Sequence, residues 1–118
     1  KLDSNIDSQI LEKYRNAPYR APLVIVLVSD TKEHPKVPVI EQQLSTAAAG
    51  QNMLLAFHDM GFAGIWRTGK FSFNKEISLE LDLKESEIVI GYLYIGTADG
   101  KAKKIPELKT EDFVTVWK

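Results

Sequence analysis

The chain has no cysteine among its 118 residues and only two histidines, His34 and His58. The first absence excludes disulfides, thiol catalysis and thiolate-ligated metals. The second leaves two imidazoles far apart on different elements, so no metal site is expected. An excess of charge of one sign is lacking as well: 15 basic residues face 16 acidic ones, for a formal net charge of -1. Such a balance supplies no long-range field to gather nucleic acid or an anionic membrane surface. No apolar run approaches the ~20 residues that a membrane-spanning helix needs. The opening "KLDSNIDSQ" has neither the apolar core of a signal peptide nor an initiator methionine. Internal repeats, low-complexity tracts and shifts in composition are absent too, so residues 1–118 are expected to form one domain.

What is present suits a soluble globular chain: 44% apolar and 26% charged residues. Its length supports one real but small core. "DSNIDSQILEKYRNAP" has helical spacing at Ile6, Ile10 and Leu11, with Asp3 or Ser4 as the expected cap, and Pro18 and Pro22 end it. "LVIVLVS", Leu23 to Ser29, is a continuous apolar run that predicts a central strand covered on both faces. Val39 to about Met60 predicts the longest helix, stopped by Gly61. "FAGIWRTG" suits a short strand entering a loop. Asn74 is the expected cap of a short helix whose face carries Ile77, Leu81 and Leu83. Ile88 to Ile95 predicts a strand in which Gly91 marks a close approach or a bulge. "DGKAKKIPELKTED" suits a charged loop. "FVTVW" alternates Phe113, Thr115 and Trp117 and predicts a last strand. The succession of helices and strands is mixed α/β architecture.

Several candidate motifs fail on their own chemistry. "GIWRTGK" has the glycine and lysine spacing of a phosphate-binding loop, but Phe71 stands where a hydroxyl must reach a metal ion. It also follows a long helix rather than opening one. "GTADGK" is one residue short between its glycines. His58 and Asp59 are neighbours in sequence, so on a helix their side chains diverge and surface positions are expected. Glu80, Asp82, Glu85 and Glu87 are explained by a solvated face more simply than by a metal site. "STAAAG", Ser45 to Gly50, lets another surface come close to the long helix. That surface is either the domain's own sheet or a second subunit, and composition does not choose. Leu54, Leu55 and Phe57 are available to fill a core.

Five segments, taken in order, carry a resemblance. "RNAPYRAPLVIVLVSD", "HPKVP", "AAAGQNMLLAFHDMGFAGIWRTG", "IGYLYIGT" and "FVTVW" are together similar to the flavin-dependent nitroreductase family, specifically its small single-domain members. The resemblance runs over nearly the whole chain. The family's opening Arg-Arg-Ser type motif has no counterpart here, so the chain resembles the C-terminal two-thirds of such a protein.

The resemblance implies an α/β (α+β) fold with a mixed, mainly antiparallel sheet flanked by helices, incomplete at the N-terminus. It implies non-covalently bound FMN, with NAD(P)H giving a hydride to flavin N5 and a nitroaromatic or quinone-type acceptor taking the electrons. No catalytic acid–base side chain is required. The turn Trp66, Arg67, Thr68 and Gly69 is expected along the isoalloxazine edge, with Gly69 permitting close approach. Lys101 and Lys103 are expected near the phosphate, although a solvated lysine-rich loop explains them equally well. A cytoplasmic homodimer is implied, with the small-residue helix at the interface and "FVTVW" extending a sheet, its own or the partner's. A contrasting expectation is an α/β fragment that folds and dimerises without binding flavin.

Overall fold

The computed structural model describes residues 7–101 and 104–117. Its element order is α1 (Ser8–Arg15), a 3-10 turn (Ala17–Arg20), β1 (Leu23–Asp30), α2 (Val39–Asp59), β2 (Ala63–Arg67), a 3-10 turn (Lys70–Phe73), α3 (Lys75–Glu80), β3 (Glu87–Gly96) and a last 3-10 turn (Thr110–Asp112). The three strands form one antiparallel sheet in the order β1-β3-β2. The mixed architecture with an antiparallel sheet is therefore present.

Helix α2 is held at its C-terminal end by a complete glycine cap. Gly61 takes the left-handed conformation at φ +85°. Its N–H donates to the His58 carbonyl at 3.0 Å, and the Phe62 N–H donates to the Phe57 carbonyl at 2.9 Å. These bonds satisfy carbonyls that the helix leaves unpaired, and an apolar contact usually accompanies them. Here that contact is the edge-on pair Phe57–Phe62, with centroids 6.5 Å apart. The inner face of α2 brings Met53, Leu54 and Phe57 onto a core of Leu27, Leu93 and Ile95. Leu93 lies at the centre of the middle strand and is fully buried.

Tryptophan decides the closest contacts. Trp66 of β2 packs its indole between Gly50 of α2 and Gly91 of β3. A Cβ added at Gly50 would stand 2.8 Å from the ring, and one added at Gly91 would collide with the indole nitrogen. Gly91 also sits at a register shift, where Leu27 pairs with Gly91 and Val28 with Val89. It is both of the things its position suggested, a close approach and a bulge. Of the small-residue stretch, Gly50 faces the domain's own sheet, while Ala48 and Ala49 are exposed.

Several expectations are corrected. Helix α1 begins at Ser8 with Asp7 as its cap, accepting from the Gln9 N–H at 2.9 Å; Asp3 and Ser4 lie outside the described residues. β1 is an edge strand, not the central one. Its run is apolar on both sides because Ile25 and Leu27 meet the α2 core while Val24 and Val26 line a cavity on the opposite face. Leu55 is exposed rather than in the core. Leu83 lies beyond the end of α3, and Leu81 is its C-cap residue. "FVTVW" forms no strand: 114–117 are irregular and Trp117 is 93% exposed. A strand needs a partner edge for its backbone groups, and none pairs with this segment among the described residues.

Candidate functional site

The site begins where β2 ends. Arg67 is its last residue; Thr68 and Gly69 follow, and the chain then turns into Lys70–Phe73. Gly69 sits at φ +114°, ψ -164°, a region occupied essentially by glycine alone. Nothing lies within 4 Å of a Cβ built on Gly69, so the backbone there stays open to close approach. Beyond the turn, Asn74 caps α3 as expected, its side-chain oxygen accepting from the Glu76 N–H at 2.8 Å.

This bend forms the rim of a cavity of about 710 Å³ on the sheet face opposite α2. Strand alternation sets its floor: Val24 and Val26 of β1 beside Tyr92 and Tyr94 of β3. Arg67 pairs in register with Tyr92 and joins the same face. The walls come from α1 and α3, through Tyr14, Ile77 and Leu81. Tyr14 meets Phe71 edge-on with centroids 5.1 Å apart, which ties α1 to the turn after the bend.

The electrostatics of the cavity are one-sided. Lys13, Arg15, Arg20, Arg67 and Lys70 line it, and no carboxylate among the described residues does. An Arg20 Nη donates to the Lys13 carbonyl at 3.5 Å, a long bond that leans the guanidinium toward α1. The Tyr92 hydroxyl is buried without a hydrogen-bond partner. Burial pushes its pKa above the ordinary tyrosine value, and the neighbouring Tyr94 adds to the rise. Tyr92 is therefore a neutral donor with its bond unmade. A smaller cleft of about 320 Å³ shares Arg20, Arg67 and Tyr94 and extends along Gly64, Gly96 and Thr97.

The residues singled out in the sequence are thus divided between places. Arg67, Thr68 and Gly69 come together on the rim. The Trp66 indole lies on the other side of the sheet, packed against the core. Lys101 is exposed in the loop after β3 and is not among the residues lining either cavity; Lys103 lies outside the described residues. Sequence reasoning did not find Lys13, Arg15, Arg20, Tyr92 or Tyr94. The alternation of Tyr92 and Tyr94 along β3 was the available signal for the last two. His58 and Asp59 are exposed. Glu87 serves locally: one carboxylate oxygen accepts from the Lys84 N–H at 2.8 Å and the other pairs with the Lys84 ammonium at 3.5 Å. No group of three potential metal ligands occurs among the described residues. No helix among them is long and apolar enough to cross a membrane.

Comparison with known proteins identifies the family and the fold. The profile of the Nitroreductase family matches residues 2–97. "Putative NAD(P)H nitroreductase YdjA" of Escherichia coli K12 is 38% identical over 96 residues, covering 81% of this chain and 52% of that protein. A like-named protein of Haemophilus influenzae is 33% identical, covering 97% of this chain and 63% of its own length. The chain thus spans between half and two-thirds of the curated relatives it matches. Among solved structures, a nitroreductase-like family protein from Bacillus cereus superposes with a TM-score of 0.70 at 17% identity, covering 94% of this chain and 61% of that one. Nitroreductase A from Vibrio parahaemolyticus gives 0.55 at 16% identity over 90% of this chain and 65% of its own. The profile match covers well over half of the chain and the fold agrees with it, so the chain belongs to the nitroreductase family.

Proposed function

We propose that this chain forms part of an FMN-dependent NAD(P)H oxidoreductase that reduces nitroaromatic or quinone-type acceptors. The observation that carries the reading is the bend at Arg67, Thr68 and Gly69. An open, glycine-only backbone sits beside two cations, Arg67 and Lys70, on the rim of a cavity that no carboxylate among the described residues lines. Those features fit the electron-rich edge of a flavin and an anionic phosphate.

FMN, when bound, supplies the hydride acceptance and delivery that the protein itself does not perform. The chain's own residues position and neutralise. Main chain at Thr68 and Gly69 can approach the ring edge without a side chain intervening. Arg67 and Lys70 offset negative charge there, and a site with apolar walls strengthens that effect relative to water. Trp66 acts from beneath: its packing between Gly50 and Gly91 fixes the end of β2, and so the rim. Lys101 and Lys103 belong to the proposal only as contributors to phosphate binding, a role for which Arg67 and Lys70 are better placed.

A homodimer is part of the proposal. Ile40, Leu44 and Leu55 are exposed on α2, away from the core. An apolar stripe of this kind is normally covered. The exposed segment Phe113–Trp117 is a second surface that a partner copy would pair. A cytoplasmic location accords with the chemistry of NAD(P)H.

Steady-state kinetics of the complete protein tests the reading. With FMN added, NADH or NADPH oxidation is expected to depend on a quinone or nitroaromatic acceptor, with the parallel double-reciprocal lines of a ping-pong mechanism. Absence of acceptor-dependent oxidation with both nucleotides would reject the activity.

A further inference from the structure

The segment "HPKVP" lines neither cavity, yet it holds one of the chain's two imidazoles in a defined bonding pattern. We propose that His34 is a proton-operated latch. Neutral, it closes the loop between β1 and α2; protonated, it releases the middle of that loop. The proposal does not depend on flavin binding.

The loop, residues 31–38, is held by side chains rather than by a ladder. At its start the Thr31 N–H and hydroxyl both donate to the Ser86 carbonyl at 2.9 Å, which ties it to the turn before β3. Gln42 of α2 then spans the loop with its amide. The Gln42 Oε1 accepts from the Lys32 N–H at 2.9 Å. Its Nε2 donates to the Lys32 carbonyl at 2.8 Å and to the Val37 carbonyl at 3.0 Å. Both ends are thereby fixed by groups that do not titrate.

The middle is different. The backbone N–H groups of Lys36 and Val37 donate to the Nδ1 of His34, at 3.2 and 3.0 Å. An imidazole nitrogen accepts only while it carries no proton, so this pattern requires the neutral ring with its proton on Nε2. A proton added at Nδ1 removes the lone pair and sets an N–H against two other N–H groups. The sign follows: the latch is closed above the imidazole range and opens as pH falls through it. His34 is exposed, so the proton reaches it without any other part of the chain moving.

Other ionisable side chains stand on the elements that touch the loop. They are Asp30 on β1, Lys32, Glu33 and Lys36 on the loop itself, Glu41 on α2, and Lys84, Glu85 and Glu87 around the turn into β3. Among them, Asp30 pairs with Lys32 at 3.9 Å and Glu87 with Lys84 at 3.5 Å. None of the printed bonds to the Lys36 and Val37 amides comes from these groups; His34 supplies both. The second imidazole, His58, lies in the last turn of α2, at the far end of that helix.

Amide hydrogen exchange of the complete protein, resolved by residue and divided by intrinsic rates, tests the latch. Between about pH 8 and about pH 5, protection at Lys36 and Val37 is expected to fall about tenfold or more. Lys32, held by Gln42, and Leu93, at the centre of the sheet, are expected to keep theirs. His34→Asn puts an oxygen that does not titrate near the place of Nδ1, in a turn that asparagine commonly makes. That variant is expected to stay protected at both pH values, and His34→Ala to be unprotected at both. His58→Gln is expected to respond as the parent does. Unchanged protection in the parent would overturn the proposal, and so would the same fall in His34→Asn, which would assign the response to the carboxylates. A fall shared equally by Lys32 or Leu93 would make the opening general rather than local and would also overturn it. Flavin content enters none of these readings, so they stand apart from the oxidoreductase proposal.

Discussion

Trp66, Gly50 and Gly91 behave as one unit, because the indole occupies the space that two side chains would otherwise fill. Gly91→Ala pushes a methyl into the ring. It is expected to destabilise the fold by about 1–3 kcal/mol, the usual penalty of overpacking, read as a lower denaturation midpoint at constant slope. An unchanged midpoint would show that the ring can move aside. Position 91 was legible in the sequence as a special glycine within a strand. Its reason was not, since the contacting residue lies 25 positions earlier and on another element. Gly69 teaches the converse. Its conformation is strained for any other residue, so Gly69→Val mixes a backbone penalty of about 1–3 kcal/mol with any effect on a ligand. Arg67, on the rim and free of that constraint, is the better position for a binding test.

Helices were more legible than strand order. The long helix and its glycine stop, and the Asn74 cap of α3, depend on interactions within a few residues, which is where sequence carries its information. Asn74→Ala removes the acceptor for the Glu76 and Ile77 amides. The expected cost is about 1 kcal/mol, with faster amide exchange confined to 75–80 and the turn before it. Exchange that accelerates throughout the sheet would contradict a local role. Strand position, by contrast, is set by partners. The apolar run of β1 suited a central strand, yet β3 takes the centre, and the run instead reflects an α2 core on one side and a cavity on the other. "FVTVW" has the alternation of a strand but pairs with no edge among the described residues. Alternation describes which side chains share a face and says nothing of whether a partner is present. For the candidate site, the bend at Arg67–Gly69 was legible through resemblance. The cations of α1 and its following turn were not, because they reach the cavity only through tertiary packing.

At the level of the whole molecule, the uncovered apolar surface is the dominant fact. Leu44 is 60% exposed on the outer side of α2. Leu44→Asp is expected to dissociate the proposed homodimer to monomer in sedimentation experiments, since burying an unpaired carboxylate opposes association. A dimer of unchanged strength would place the interface elsewhere. The family assignment rests on a match over residues 2–97 and on a shared fold; the proposed flavin chemistry rests on the rim. The most direct test is an equilibrium titration of the complete protein with FMN, followed by flavin fluorescence. The account predicts saturable binding at one flavin per chain, weakened about tenfold or more by Arg67→Glu, the loss expected when a charge-assisted contact of at least 1.4 kcal/mol is reversed. Folded protein that leaves the fluorescence unchanged, or an Arg67→Glu variant that binds as tightly as the parent, would contradict it.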